Sequence, residues 1–142
     1  MKKSAEFILV FSSGAVIYSF IEVMFRGYTH WTMSLTGGLV LTIIYMINIK
    51  FSDTLLALRC VVSCAVITLT ELIVGCIVNL WLGMDVWDYS HLPHNFLGQI
   101  CPLFSSLWFF LSFPANLLCV FIRRKMIGRP DSRREEYQLD DM

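Results

Sequence analysis

Trp87-Asp88-Tyr89-Ser90-His91-Leu92-Pro93-His94-Asn95-Phe96-Leu97-Gly98-Gln99 is the longest polar interval in the middle of an otherwise apolar chain. It mixes an acid, two histidines, two amides, aromatic rings, a proline and a glycine, and it has no lysine or arginine. A plain linker would be richer in glycine, serine and simple charge. Tryptophan and tyrosine favour the membrane–water boundary, where the ring is half buried and its polar tip reaches water. The stretch therefore reads as an ordered cap between two membrane-crossing runs.

Working outward, those runs are Leu55–Leu82 and Gly98–Ile122, preceded by Glu6–Phe25 and Met33–Ile49. A transmembrane helix needs about 20 mostly apolar residues, and each run is of that order. The connections are short, so neighbouring helices should alternate in direction. The sequence predicts an all-α integral membrane protein with four transmembrane helices in an antiparallel bundle and an ordered extracytoplasmic loop between the third and fourth. Composition agrees: 56% hydrophobic residues, 15% charged residues and a mean hydropathy of +0.65 leave too little polar surface for a soluble domain of 142 residues. Met1-Lys2-Lys3 and the run from Phe7 resemble a secretory leader. No small-residue cleavage site follows, so the run is expected to be retained as the first span. Residues 1–125 form the membrane domain in this reading, and 126–142 a flexible cytoplasmic tail.

The net charge is zero, but the charges are segregated. Lys2 and Lys3 precede the first span, Lys50 and Arg59 flank the turn between the second and third, and Arg123, Arg124 and Lys125 follow the fourth. Basic residues stay on the cytoplasmic side, so both termini are expected there. The loops Arg26–Trp31 and Trp87–Gln99 then face each other across the outer end. The same segregation speaks for membrane orientation rather than nucleic-acid binding. The five cysteines all lie in apolar runs without a Cys-x-x-Cys pair, and they read as small packing residues.

Small and weakly polar residues recur at helical spacing: Ser12, Ala15 and Ser19, then Cys64, Thr68 and Gly75, then Ser105, Ser112 and Asn116. In lipid such residues mark helix–helix contact. Glu71 stands inside the third run, where a carboxylate is costly and should face the bundle interior. Glu22 and Arg26, four apart with the acid first, have the spacing of a helical ion pair. Arg26 should also neutralise Glu71, directly or through water. Gln99 is placed in the first turn of the fourth span, with Asn95 as a candidate cap. Pro114 inside that span is a candidate kink. The candidate ligand site is Glu22, Arg26, His30, Glu71, Asp88, Asn95 and Gln99. His91-x-x-His94 has a proline within it and lies in a loop, so no metal is assigned. A nucleophile elbow and a Gly-Lys-Ser/Thr phosphate loop are absent from the sequence, so no catalytic residue, cofactor or ATPase activity is expected of the chain itself.

Tyr18-Ser19-Phe20-Ile21-Glu22-Val23-Met24-Phe25-Arg26-Gly27-Tyr28-Thr29-His30-Trp31 with Gly37-Gly38, and Trp87-Asp88-Tyr89-Ser90 with Pro93, Asn95 and Gly98-Gln99-Ile100-Cys101, form a pair of long motifs. Together they resemble the ABC-transporter type IV, or CmpB-like, family of small bacterial membrane proteins. The resemblance extends to about Ile122. It implies a multi-pass protein of the bacterial cell membrane, a transporter subunit with any ATPase on a separate partner. Three functions fit the residues. The first is a transport-related or ligand-binding membrane subunit with a polar site in the outer half of the bundle, partnered by the lipid bilayer, another membrane subunit or a second copy of itself. The second is a membrane-embedded enzyme acting on a lipid or cell-wall precursor, with Glu71 or Asp88 as base and His30 as its acid–base partner. The third is a structural or sensory bundle. The missing nucleophile and metal signatures favour the first.

Overall fold

The computed structural model describes residues 2–129 together with Gln138 and Asp141, so most of the segment expected as a tail at 126–142 lies outside the described residues. The four expected spans are helices: α1 (Lys3–Arg26), α2 (Trp31–Lys50), α3 (Leu56–Gly75) and α4 (Pro102–Phe121). α3 runs on into a π-helical turn at Cys76–Trp81, and α4 into another at Ile122–Met126. With those turns all four are long and apolar enough to cross a membrane. The described residues contain no strand, only an isolated bridge between Phe96 and Ile100.

Local chemistry sets the helix ends. α1 stops at Gly27, whose φ of 78° lets its N–H return to the Val23 carbonyl, a geometry that costs other residues. α2 starts at His30, whose ring nitrogen accepts the Thr32 backbone N–H at 3.3 Å and meets its hydroxyl at 2.7 Å. α4 starts later than its apolar run suggests. Leu97 and Gly98 both have positive φ (55° and 70°), Phe96 bridges back to Ile100, and Cys101 is extended. Pro102 then takes the first helical position, where its missing N–H is no loss. Gln99 therefore lies in the loop rather than in the first turn of α4, and Asn95 does not cap that helix. Apolarity alone could not reveal this, because Leu97 and Ile100 continue the hydrophobic run.

α1 and α2 meet along glycine. A β-carbon on Gly14 would lie 2.6 Å from the Gly37 carbonyl oxygen, and one on Gly37 would overlap the Tyr18 side chain. Such close approach is the packing by which membrane helices associate, since lipid supplies no hydrophobic drive between them. Higher along the same pair, Ser19 and Ser34 hydroxyls are 2.5 Å apart. α3 and α4 are joined by weakly polar contacts, with Cys64 Sγ donating to the Ser105 carbonyl at 3.2 Å and Thr68 Oγ1 to Ser105 Oγ at 3.2 Å. Large apolar side chains such as Val16, Phe20, Met24, Leu69 and Phe110 face outward, as a lipid solvent requires.

Two apolar clusters hold the ends. Val10, Leu41, Ile44, Tyr45, Cys119 and Ile122 pack at the end that carries the 51–55 turn. Met33, Val78, Val86 and Trp87 pack at the end that carries the long loop. The first cluster is threaded by polar bonds. Arg59 Nη1 donates to Asn48 Oδ1 at 2.6 Å, Asn48 Nδ2 to Asn116 Oδ1 at 2.8 Å, and Asn116 Nδ2 to Ser63 Oγ at 3.1 Å. Nearby, Tyr45 donates to Glu6 Oε1 at 2.5 Å and Arg129 pairs with Glu6 Oε2 at 3.0 Å. Helical spacing marks Asn116 as a contact residue, but not its partners, because Asn48 and Ser63 stand on two other helices.

Candidate ligand site

Between the two clusters lies a cavity of about 190 Å³. Most of its wall is aliphatic, from Ile17 and Val40 to Ile44 and Leu118. At the end near the long loop it is closed by Tyr18, Glu71, Trp87 and Trp108. α1 brings Tyr18, α3 brings Glu71, α4 brings Trp108 and the loop folds Trp87 over the top. Pro114 and Ala115 line the chamber from α4. Proline there leaves the carbonyl one turn earlier without its helical donor.

Glu71 is buried, with 6% of its surface exposed. Its Oε1 accepts the Tyr89 hydroxyl at 2.9 Å and its Oε2 the Trp108 indole N–H at 2.9 Å. Tyr89 in turn stacks on Phe104, centroids 4.5 Å apart. Burial first, then the neighbouring Glu71 carboxylate, push the Tyr89 phenol well above its ordinary range, so it stays protonated and donates. Tyr18 sits beside Trp108, centroids 6.3 Å apart, within electrostatic reach of both Glu22 and Glu71.

The sequence-predicted site divides into three groups. Glu22 and Arg26 form an ion pair, Nε to Oε2, at 2.8 Å. Arg26 Nη1 also donates to the Val86 carbonyl at 2.9 Å, which ties the first outer loop to the long one. Glu71 stands near this pair but accepts from Tyr89 and Trp108, and no ion pair reaches it among the described residues. The direct Arg26–Glu71 bond is thus replaced by neutral donors. A tyrosine and a tryptophan satisfy the carboxylate while leaving Arg26 on its helical neighbour.

The remaining candidates hold backbone. His30 caps α2. Asp88 is exposed and accepts the Ser90 N–H and hydroxyl, both at 2.8 Å, closing a short turn. The same two bonds, the backbone one first, hold its carboxyl below the usual aspartate range. Asn95 donates to the Leu92 carbonyl at 2.8 Å and accepts the Gly98 N–H at 3.1 Å. Gln99, only 3% exposed, accepts from Asn79 at 2.8 Å, and its backbone carbonyl accepts the Trp87 indole at 3.1 Å. Asn79 Oδ1 accepts the Val86 N–H at 2.7 Å, so Asn79 and Gln99 together pin the loop to the end of α3. These residues build the roof of the chamber. Tyr89 and Trp108, absent from the sequence-predicted set, bond Glu71 directly, which His30, Asp88 and Asn95 do not; an aromatic residue with a polar tip beside a buried acid was the available signal. No cluster of His, Cys, Asp and Glu suited to a metal occurs among the described residues.

Set against known proteins, residues 2–135 match the model of a family described as Putative ABC-transporter type IV. No curated protein and no solved structure matches the chain.

Proposed function

This chain belongs to the ABC-transporter type IV family, and from that premise we propose that it is a transport-related membrane subunit that binds a ligand in the chamber beneath its long loop. One observation carries the reading. A buried carboxylate, held by Tyr89 and Trp108 and unpaired with any cation among the described residues, closes one end of an apolar cavity. Intramembrane carboxylates are costly and mark ligand or ion paths by default. Glu71, with Tyr18 and Trp108, contacts the ligand; Glu22 and Arg26 shape the neighbouring charge; His30, Asp88, Asn95 and Gln99 keep the roof in place.

The helices are read as an antiparallel bundle. Tyr45, late in α2, reaches Glu6, early in α1, and Ser34, early in α2, meets Ser19, late in α1. Both termini and the end carrying the 51–55 turn, flanked by Lys50 and Arg59, are assigned to the cytoplasm, and the roof to the outer face of a bacterial cell membrane. Residues 1–125 are taken as the membrane domain and 126–142 as its cytoplasmic extension. The sequence holds no Gly-Lys-Ser/Thr loop, so an ATP-driven step would belong to a separate subunit.

Native mass spectrometry of the protein in lipid nanodiscs tests the chamber. A small bound molecule is expected on the wild type. Ala115→Phe, which fills the chamber from α4, should release it while circular dichroism stays unchanged. Retention of the same molecule by the filled variant would place the ligand elsewhere.

A further inference from the structure

Glu71 has no cationic partner among the described residues. Arg26 is engaged by Glu22 at 2.8 Å, and Arg59 reaches Asn48 in the opposite cluster. Glu71 is left with one O–H and one N–H donor. An ionised carboxylate offers about four acceptor positions, so two donors leave it unsaturated. Arginine or lysine would complete it, and neither lines the cavity.

What lines that end instead is aromatic. Tyr18, Trp87 and Trp108 border the chamber beside Glu71. Both indole N–H groups are already spent, Trp108 on Glu71 and Trp87 on the Gln99 carbonyl. The tryptophans therefore present ring carbon to the cavity. Aromatic rings attract cations through their quadrupole, most strongly where water is excluded, and this is a recurrent way of holding a quaternary ammonium group. Beyond the aromatic end the wall is aliphatic, suited to hydrocarbon.

Resting on the reading of this chamber as a ligand site, we infer that its ligand is a lipophilic organic monocation. The cationic head lies against Glu71 among Tyr18, Trp87 and Trp108, and the hydrocarbon part extends toward Ile44 and Leu118. The carboxylate supplies the counter-charge, the rings replace hydration, and Tyr89 and Trp108 keep Glu71 in position. The volume sets the size. A cavity of about 150 Å³ holds benzene, so 190 Å³ has room for a cation of one ring or a short chain.

The test compares two ligands of one shape. Benzyltrimethylammonium and neopentylbenzene differ in a quaternary nitrogen replaced by carbon. The purified full chain is titrated with each, and binding is followed by tryptophan fluorescence and by the shift in unfolding temperature. The cation is expected to bind at least tenfold more tightly than the neutral isostere. Glu71→Gln should remove most of that preference, and Ala115→Phe should weaken the binding of both ligands. Equal or tighter binding of neopentylbenzene to the wild type, lost in Ala115→Phe, would overturn the cation class while the chamber remained a ligand site. Binding of neither ligand, or binding that Ala115→Phe leaves untouched, would remove the chamber reading and this inference together. If Glu71→Gln does not accumulate in the membrane, the isostere pair on the wild type still decides.

Discussion

Asn116 is fully buried, and its one side chain serves three helices: it accepts from Asn48 and donates to Ser63 and to the Ser112 carbonyl. Removing such a group strands its partners without water, at a cost of about 1–3 kcal/mol. Asn116→Ala should therefore lower unfolding free energy by that amount in a mixed-micelle denaturation titration, with the ligand chamber intact. Asp88 makes a smaller, pH-dependent contribution. Its carboxyl is held below an ordinary value of 3.8 by Ser90, so the folded loop binds the proton less readily than the unfolded chain. Its stabilisation is complete above that value and fades as pH falls toward the lowered folded value. Hydrogen exchange at the Ser90 amide should accelerate, relative to its intrinsic rate, on acidification below 3.8 in the wild type, and Asp88→Asn should show no such step. An acceleration that persists in Asp88→Asn would assign the titration elsewhere.

The glycines of α1 and α2 set the element-level prediction. A β-carbon at Gly14 would strike the Gly37 carbonyl and the Leu41 β-carbon, which are fixed; at Gly38 it would meet the Phe11 ring edge, which can turn aside. Gly14→Ala should reduce membrane accumulation and monodispersity on size exclusion far more than Gly38→Ala. Equal tolerance would mean that the two helices are not locked by backbone contact. The helices themselves were legible in the sequence because length and apolarity suffice to locate a membrane span. The start of α4 was not, because it depends on left-handed backbone at Leu97 and Gly98 followed by Pro102, within a run that stays apolar. The candidate site was half legible. The Glu22–Arg26 pair follows from spacing within one helix, and the depth of Glu71 follows from its position. Its partners Tyr89 and Trp108 stand 18 and 37 residues further on, where only the folded loop and the pairing of α3 with α4 bring them near.

At the scale of the molecule, arginines tie the helices together at both ends. Arg26 links α1 to Val86 in the long loop, and Arg129 links the segment after α4 to Glu6 at the start of α1. Glu6 is only 1% exposed and also accepts from Tyr45, so losing Arg129 removes a cation from a buried acid. Truncation after Gly128 should therefore lower detergent-solubilised stability, and truncation after Arg129 should not; identical melting of the two would show that this ion pair is dispensable. The proposed topology has its own check. Epitope insertions at His91 should be reached from outside intact spheroplasts, and insertions at Ser52 only after permeabilisation.

α1 packs chiefly along α2, and α3 along α4, with fewer contacts between the pairs. The chamber occupies the border between them. Backbone contact at Gly14 and Gly37 leaves no slack within the first pair, so any displacement of α1 would carry α2 with it. Any change in the cavity's width then comes from movement between the pairs, and it must part Met33 from Val78, Val86 and Trp87 as well as free Arg26 from the loop.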